Sequence, residues 1–260
     1  MTSTAFKKIA FTASDKADAQ NAMSALIKLY GQSSVVDADV IVALGGDGFM
    51  LQTLRQNMPA LRRGTPVYGM NQGTIGFLMN EFNKENLCER LSLAEPTIVR
   101  PLKMTAKSKN GTHQQIAINE VSLFRQTQQA AHISVTVDGK VRLDKLIADG
   151  ILLATPAGST AYNLSAHGPV IPLGADILAL TPISAFRPRR WRGALLKSNA
   201  KVTLTTLDPD KRPLSASADN SDIRDVLSVT IEQDNASELT LLFDADHGLD
   251  EKILREQFAN

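Results

Sequence analysis

A tetrad of small and acidic residues, Gly45-Gly46-Asp47-Gly48, follows the apolar run Val40–Leu44 and precedes the helical spacing of Phe49, Leu51 and Leu54. An unbroken apolar run of that length reads as a strand buried on both faces. In an open parallel sheet, ligands collect where such a strand hands over to a helix. Glycines at 45, 46 and 48 let backbone amides and the next helix N-terminus come close to a phosphate. Asp47 does not suit phosphate binding alone, because a carboxylate repels phosphate. It suits a base that takes the proton of an attacking hydroxyl, or a metal ligand, in a phosphoryl transfer governed by positioning and charge stabilisation. The competing account is a tight turn with Asp47 as a helix cap. The strand-loop-helix setting favours chemistry, without choosing a substrate.

Two further segments carry polar chemistry. Asn119-Glu120 is placed at the end of a β run, where an amide beside a carboxylate can read the hydroxyls of a sugar. Taken alone, the pair reads better as a strand-end turn. The longer segment Asp149–Asn163 (Asp-Gly-Ile-Leu-Leu-Ala-Thr-Pro-Ala-Gly-Ser-Thr-Ala-Tyr-Asn) is more informative. Its strand Ile151–Ala154 ends in a Pro/Gly loop that enters a helix at Ser159 or Thr160. Hydroxyls and free amides at a helix start suit a phosphate or a polar ligand edge. Tyr162 adds a flat ring with a polar tip.

These segments need elements to hold them. Lys8–Thr12, Val40–Leu44 and Pro66–Met70 read as strands, and Asp18–Tyr30 and Asn83–Leu93 as helices, with a turn at Asn71-Gln72-Gly73. Such alternation implies a parallel sheet with covering helices. The pattern changes after Glu95-Pro96. Thr97–Lys109 and Gln114–Ile118 flank Asn110-Gly111, and Ala131–Val137 and Val141–Ile147 flank Asp138-Gly139-Lys140, both strong hairpin signals. Further β-rich runs at Lys201–Leu207, Val226–Ile231 and Leu239–Phe243 complete a mostly antiparallel β-sandwich, and a helix is expected at Asp250–Phe258. The expected organisation is an α/β nucleotide-binding domain over 1–95, a β-sandwich over 96–245, and a C-terminal helix within 246–260 packing back on the first domain.

Composition narrows the partners. The 260 residues carry 28 Lys plus Arg against 27 Asp plus Glu, a formal charge of +1, which leaves no basic footprint for nucleic acid or a membrane surface. No segment approaches the length of a membrane span. The single cysteine, Cys88, excludes an internal disulfide and a cysteine-built metal site, fits a reducing, cytoplasmic setting, and on its expected helix reads as a small core residue. The four histidines show no metal-ligand spacing. Neither a P-loop nor an intact dinucleotide-binding Gly-x-Gly-x-x-Gly is present. The cluster Arg187, Arg189, Arg190, Trp191 and Arg192 reads as a pyrophosphate contact, a subunit contact or a solvated loop.

Taken together, Gly45-Gly46-Asp47-Gly48, Asn71–Leu78, Asn119-Glu120 and Asp149–Asn163 resemble the NAD kinase family in its bacterial, short form, over residues 40–220. The resemblance implies an α/β domain followed by a β-sandwich, and transfer of the ATP γ-phosphate to the adenosine-ribose 2′-hydroxyl of NAD. It implies Asp47 as the base, with the loop glycines Gly46 and Gly48 binding substrate and Asn119 and Glu120 holding the ribose. Ala157, Thr160, Ala161, Tyr162 and Ser165 would line the adenosine pocket, Phe77 would pack near it, and Asp149 would contact the dinucleotide, including from a neighbouring subunit. A divalent ion, Mg²⁺, and a homodimer or homotetramer with shared sites are also implied. Ala157 stands where relatives often have Thr or Ser, and Asn220 where a glycine is common. The rivals are a lipid kinase or phosphofructokinase sharing the glycine-aspartate loop, and a non-catalytic NAD-binding protein.

Overall fold

The computed structural model describes residues 6–71, 76–245, 251, 252 and 254. The expected turn beyond Asn71 and most of the expected helix at Asp250–Phe258 lie outside these residues, although Glu251, Lys252 and Leu254 are helical. In chain order the elements are β1 (Ile9–Ala13), α1 (Ala17–Tyr30), β2 (Val40–Gly45), α2 (Asp47–Gln56), α3 (Met58–Leu61), β3 (Val67–Asn71), α4 (Leu87–Leu93) and β4 (Glu95–Val99). Twelve strands follow: β5 (Leu102–Ser108), β6 (Gly111–Ala117), β7 (Glu120–Arg125), β8 (Ala131–Val137), β9 (Lys140–Ala148), β10 (Gly150–Ala154), β11 (Ile177–Ile183), β12 (Ala194–Lys197), β13 (Val202–Thr206), β14 (Leu214–Ala218), β15 (Ser221–Ile223) and β16 (Val226–Gln233). A 3₁₀ turn (Ala157–Thr160) and α5 (Tyr162–Ser165) sit between β10 and β11, and β17 (Leu239–Phe243) comes last.

Two compact units result, Met1–Val99 with Ala236–Asn260, and Arg100–Asn235. The first is built on a five-stranded sheet of order β1-β2-β3-β17-β4. β1, β2, β3 and β17 run parallel, and β4 is antiparallel to β17. The Val40–Leu44 stretch of β2 is fully buried, as its unbroken apolar run requires, and α1 contributes Ala19 and Leu26 to the core beside it.

The second unit stacks two six-stranded sheets, β12-β11-β10-β7-β14-β15 and β6-β5-β16-β13-β8-β9. Alternate residues of both sheets, such as Leu102, Met104, Val121, Leu123, Val202 and Leu204, meet in one core. β10 is apolar throughout because it is buried twice. Ile151 and Leu153 enter that core, while Leu152 and Ala154 pack with Ile171 and Ala179 on the other face. The Asp138-Gly139 hairpin has both residues at positive φ, 51° and 74°, as a two-residue turn of this hand demands.

The α/β class with a following antiparallel β unit is as expected, with four differences of placement. Leu239–Phe243, expected in the β-sandwich, instead pairs with β3 and β4 in the first sheet. An apolar strand states that it is buried and leaves its partner open. The run Thr97–Lys109 breaks at Arg100-Pro101 into β4 and β5, which belong to different sheets. Pro101 lacks an N–H for the ladder, and its carbonyl accepts from Asp234 N at 2.8 Å. The helix expected from Asn83 starts at Leu87, after Asn86 in the left-handed region at φ 53°. Cys88, expected in the core, is exposed on α4.

Phe243 is fully buried in β17. Phe243→Ala therefore costs about 3–5 kcal/mol, and hydrogen exchange rises in β1–β3 while β5–β16 stay protected. Loss of protection in β5–β16 instead would contradict this placement.

Candidate functional site

In the first unit, Gly46 is the N-cap of α2 and Asp47 opens its first turn. The carboxylate does not cap its own helix. Its Oδ2 accepts from the Phe77 amide at 2.8 Å and its Oδ1 from the Leu78 amide at 3.0 Å. Two donors from successive peptides fix the plane of the carboxylate and leave each oxygen further lone pairs. The approach is close enough that a Cβ on Gly76 would lie 2.2 Å from Asp47 Oδ1. Gly46 and Gly48 differ from it, since among the described residues a Cβ on either meets nothing within 4 Å. Folding places no steric demand for glycine there. A cavity of about 440 Å³ lies elsewhere, on the second unit, whereas one of about 330 Å³ adjoins these glycines, lined by Ser14, Asp15, Lys16, Gly46, Gly48, Phe49 and Gln52. Lys16 is the cationic residue of that lining and Asp15 its carboxylate.

The segment that grips Asp47 is itself pinned by Asn80. Its amide donates to the Gly69 and Leu242 carbonyls, both at 3.0 Å, and its oxygen accepts from Asp244 N at 2.9 Å. Phe77, expected as a packing ring, contributes its main chain to Asp47. Nothing in the sequence marked Asn80, because an asparagine in a loop has no distinguishing spacing.

In the second unit, Asn119 directly precedes β7 and Glu120 opens it, so the pair begins a strand where the sequence reading had it end one. Asp219, at φ 49°, folds back over this start. Its carboxylate accepts from the amides of Ile118 and Asn119 at 2.9 Å and of Glu120 at 3.3 Å. Glu120 is only 9% exposed, and among the described residues its Oε2 has no hydrogen-bond partner. Burial, and then the Asp219 charge, push its carboxyl up to about 8, with the Tyr162 backbone N–H pulling the other way.

Asp149–Asn163 supports this edge. Thr155 N donates to the Asn119 carbonyl at 2.9 Å, and Thr155 Oγ1 donates to the Ile118 carbonyl at 2.8 Å. Gly158 packs so tightly that a Cβ would lie 2.2 Å from the Asn119 carbonyl oxygen. Ser159 and Asn163, whose types suited a ligand edge, are fully buried and hold the loop together. Ser159 Oγ accepts from Ile171 N at 3.0 Å, and Asn163 Oδ1 accepts from Thr181 Oγ1 at 2.7 Å. Among the expected pocket residues, Ala157 and Thr160 are buried, Ala161 is half-buried, and Tyr162 and Ser165 are exposed. Burial, and then the charges of Glu120 and Asp149, raise the Tyr162 phenol. Asp149 is paired with Arg125, Nε to Oδ1 at 2.5 Å. Arg125 carries no local mark of this role in the sequence. The signal was available only through register, since Phe124 opposite Gly150 sets Arg125 beside Asp149.

A carboxyl raised on folding weakens the fold wherever the folded state alone stays protonated. From the ordinary 4.5 up to about 8, the folded chain binds more protons at Glu120 than the unfolded chain, so stability falls as pH rises. Glu120→Gln should flatten this slope, matching the parent near pH 4 and exceeding its urea midpoint above about pH 8. An equal slope in both proteins would show that Glu120 is not the group responsible.

Comparison with known proteins adds to the geometry. Residues 1–95 match the family model of the ATP-NAD kinase N-terminal domain, and residues 118–227 that of the ATP-NAD kinase C-terminal domain. An NAD kinase of Hyphomonas neptunium is 56% identical over 253 residues, covering 97% of this chain and 98% of that one. An NAD kinase of Xylella fastidiosa (strain Temecula1) is 53% identical over 260 residues, covering 100% of this chain and 99% of that one. Among solved structures, yeast NADH kinase complexed with NADH superposes with a TM-score of 0.83 at 20% identity, covering 97% of this chain and 87% of that one. An NAD kinase from Archaeoglobus fulgidus in complex with ATP gives 0.72 at 24% identity, covering 96% and 97%. At these identities the two structures speak to fold alone.

Proposed function

The chain belongs to the NAD kinase family, and we propose that in its reaction, transfer of the ATP γ-phosphate to the adenosine-ribose 2′-hydroxyl of NAD, Asp47 is the base. The observation that carries this is the grip of the Phe77 and Leu78 amides on the Asp47 carboxylate at the mouth of the glycine loop. A base must be held where a hydroxyl can reach it before its proton affinity matters. As the 2′-oxygen bonds to the γ-phosphorus, its proton passes to Asp47. The bond from that phosphorus to the β,γ-bridging oxygen breaks, and ADP leaves with NADP as the other product.

The cavity beside Gly46 and Gly48 suits the donor phosphates. It offers open approach to two glycines, the start of α2 and the Lys16 side chain. Asn119, Glu120, Ala157, Thr160, Ala161, Tyr162 and Ser165 are the proposed dinucleotide contacts of the second unit. Tyr162 and Ser165 are the exposed members, and Ala157 and Thr160 are buried. Asp149 takes part with Arg125, which holds its carboxylate.

Mg²⁺ is proposed as an ion carried on the ATP phosphates. Among the described residues no group of three His, Cys, Asp or Glu side chains could hold a metal ion. That suits a cation bound through substrate phosphates, water and one or two carboxylates. Asp15, in the cavity lining, is the carboxylate at hand, and the ion would neutralise charge building on the phosphates. A homodimer or homotetramer is also proposed, supported by exposed Phe186 and Leu195 on the second unit. A cytoplasmic setting is proposed on the free thiol of Cys88. Among the described residues no helix is long and apolar enough to cross a membrane.

The intact base disfavours a non-catalytic NAD-binding protein, and the match of both units disfavours a lipid kinase or phosphofructokinase. With NAD, ATP and Mg²⁺, Asp47→Asn should lower kcat for NADP formation by about 10²–10⁴-fold. NAD should still bind, as read by calorimetry. Full turnover by Asp47→Asn would remove the assignment.

A further inference from the structure

Lys252, in the C-terminal segment, is half-buried, with its ammonium against the loop that holds Asp47. Its Nζ donates to the carbonyls of Gly76 at 3.4 Å and Phe77 at 3.3 Å, and to that of Met79. Its charge lies 5.3 Å from the centre of the Phe243 ring. Burial favours the neutral amine, while the charges of Asp47 and Asp244 oppose that loss.

The choice of carbonyls is informative. The Gly76 carbonyl and the Phe77 N–H belong to one peptide unit, and the Phe77 carbonyl and the Leu78 N–H to the next. Resonance across the C–N bond couples the two ends of each unit. A cation at the oxygen draws electrons from the nitrogen and strengthens the N–H as a donor, as in any polarised hydrogen-bond chain. Of the three peptides touched by Lys252, two are those that donate to Asp47 Oδ2 and Oδ1, and the third, Met79–Asn80, lies just beyond them. Two chains therefore run from one ammonium to the two oxygens of one carboxylate.

We propose that Lys252 is a positioning residue for phosphoryl transfer, its ammonium polarising and fixing the Gly76–Phe77 and Phe77–Leu78 peptides that hold Asp47. The proposal rests on Asp47 being the base. Removal of the ammonium leaves the NAD contacts of the second unit in place, so its effect falls on turnover. Lys252→Arg would keep charge and donors, with altered reach.

Steady-state NADP formation by the full chain tests this, with Asp47→Asn run in parallel and folding checked by thermal melts. Lys252→Met should lower kcat by about tenfold or more with KM for NAD within about twofold, and Lys252→Arg should recover a substantial part of kcat. If Lys252→Met does not fold, Lys252→Gln, which keeps a donor and loses the charge, is judged by the same split. A folded uncharged variant with parental kcat, or one changed only in KM, would overturn the proposal. An active Asp47→Asn would instead overturn the reading beneath it.

Discussion

The structure turns on two hydrogen bonds, from the Phe77 and Leu78 amides to the Asp47 carboxylate. A carboxylate at the first turn of a helix is favoured by the helix dipole, but that alone leaves its side chain free to rotate. Two amides from consecutive peptides remove that freedom. The arrangement demands glycine at 76, where any side chain would collide with the carboxylate. It also demands that the segment from Gly76 to Asn80 stay close to β3, and much of the first unit serves that end.

Asn80 ties the segment to the Gly69 carbonyl of β3 and the Leu242 carbonyl of β17. Beyond β17, Asp244 accepts from Tyr68 Oη at 2.6 Å and pairs with Arg90 of α4 at 2.5 Å. Burial, and then that hydrogen bond, push the Tyr68 phenol well up and keep it neutral. The guanidinium also lies over the Tyr68 ring. A buried polar network of this kind is costly when incomplete and specific when complete. Here it explains why β17 crosses back into the first sheet. The return of the chain brings Leu242, Asp244 and Lys252 to the loop that the base depends on. The second unit shows the same logic at Asp219, whose carboxylate gathers three successive amides and sets the start of β7 where Asn119 and Glu120 lie.

What was legible in the sequence follows from how local each signal is. β2 and β10 are buried on both faces, so composition alone revealed them. The Asp138-Gly139 turn needs two positive φ angles, and the residue types say so. The glycine-aspartate loop was legible because strand, loop and helix adjoin in the chain. Strand partners were not. Leu239–Phe243 looks the same whether it pairs with β3 or with the β-sandwich. β11 carries no clear mark because Thr181 and Pro182 together interrupt its apolar run. Pro182 pairs with Ile151 at a position beyond the reach of β12, so its missing N–H costs no ladder bond on that side. Arg125, Asp219 and Lys252 act across separations of 24, about 100 and about 175 residues, and no local pattern announces such partners. Ser159 and Asn163 show the opposite failure, since hydroxyl and amide types suited to a ligand were spent inside the fold.

The central claim concerns one carboxylate and one hydroxyl, so the most direct measurement is a crystal structure of the Asp47→Asn protein with NAD and a non-hydrolysable ATP analogue. The adenosine 2′-oxygen is expected within about 2.6–3.2 Å of the substituted side-chain amide at position 47, with the Phe77 amide still directed at that side chain. A 2′-hydroxyl turned away from position 47, with another side chain in contact with it, would contradict the account.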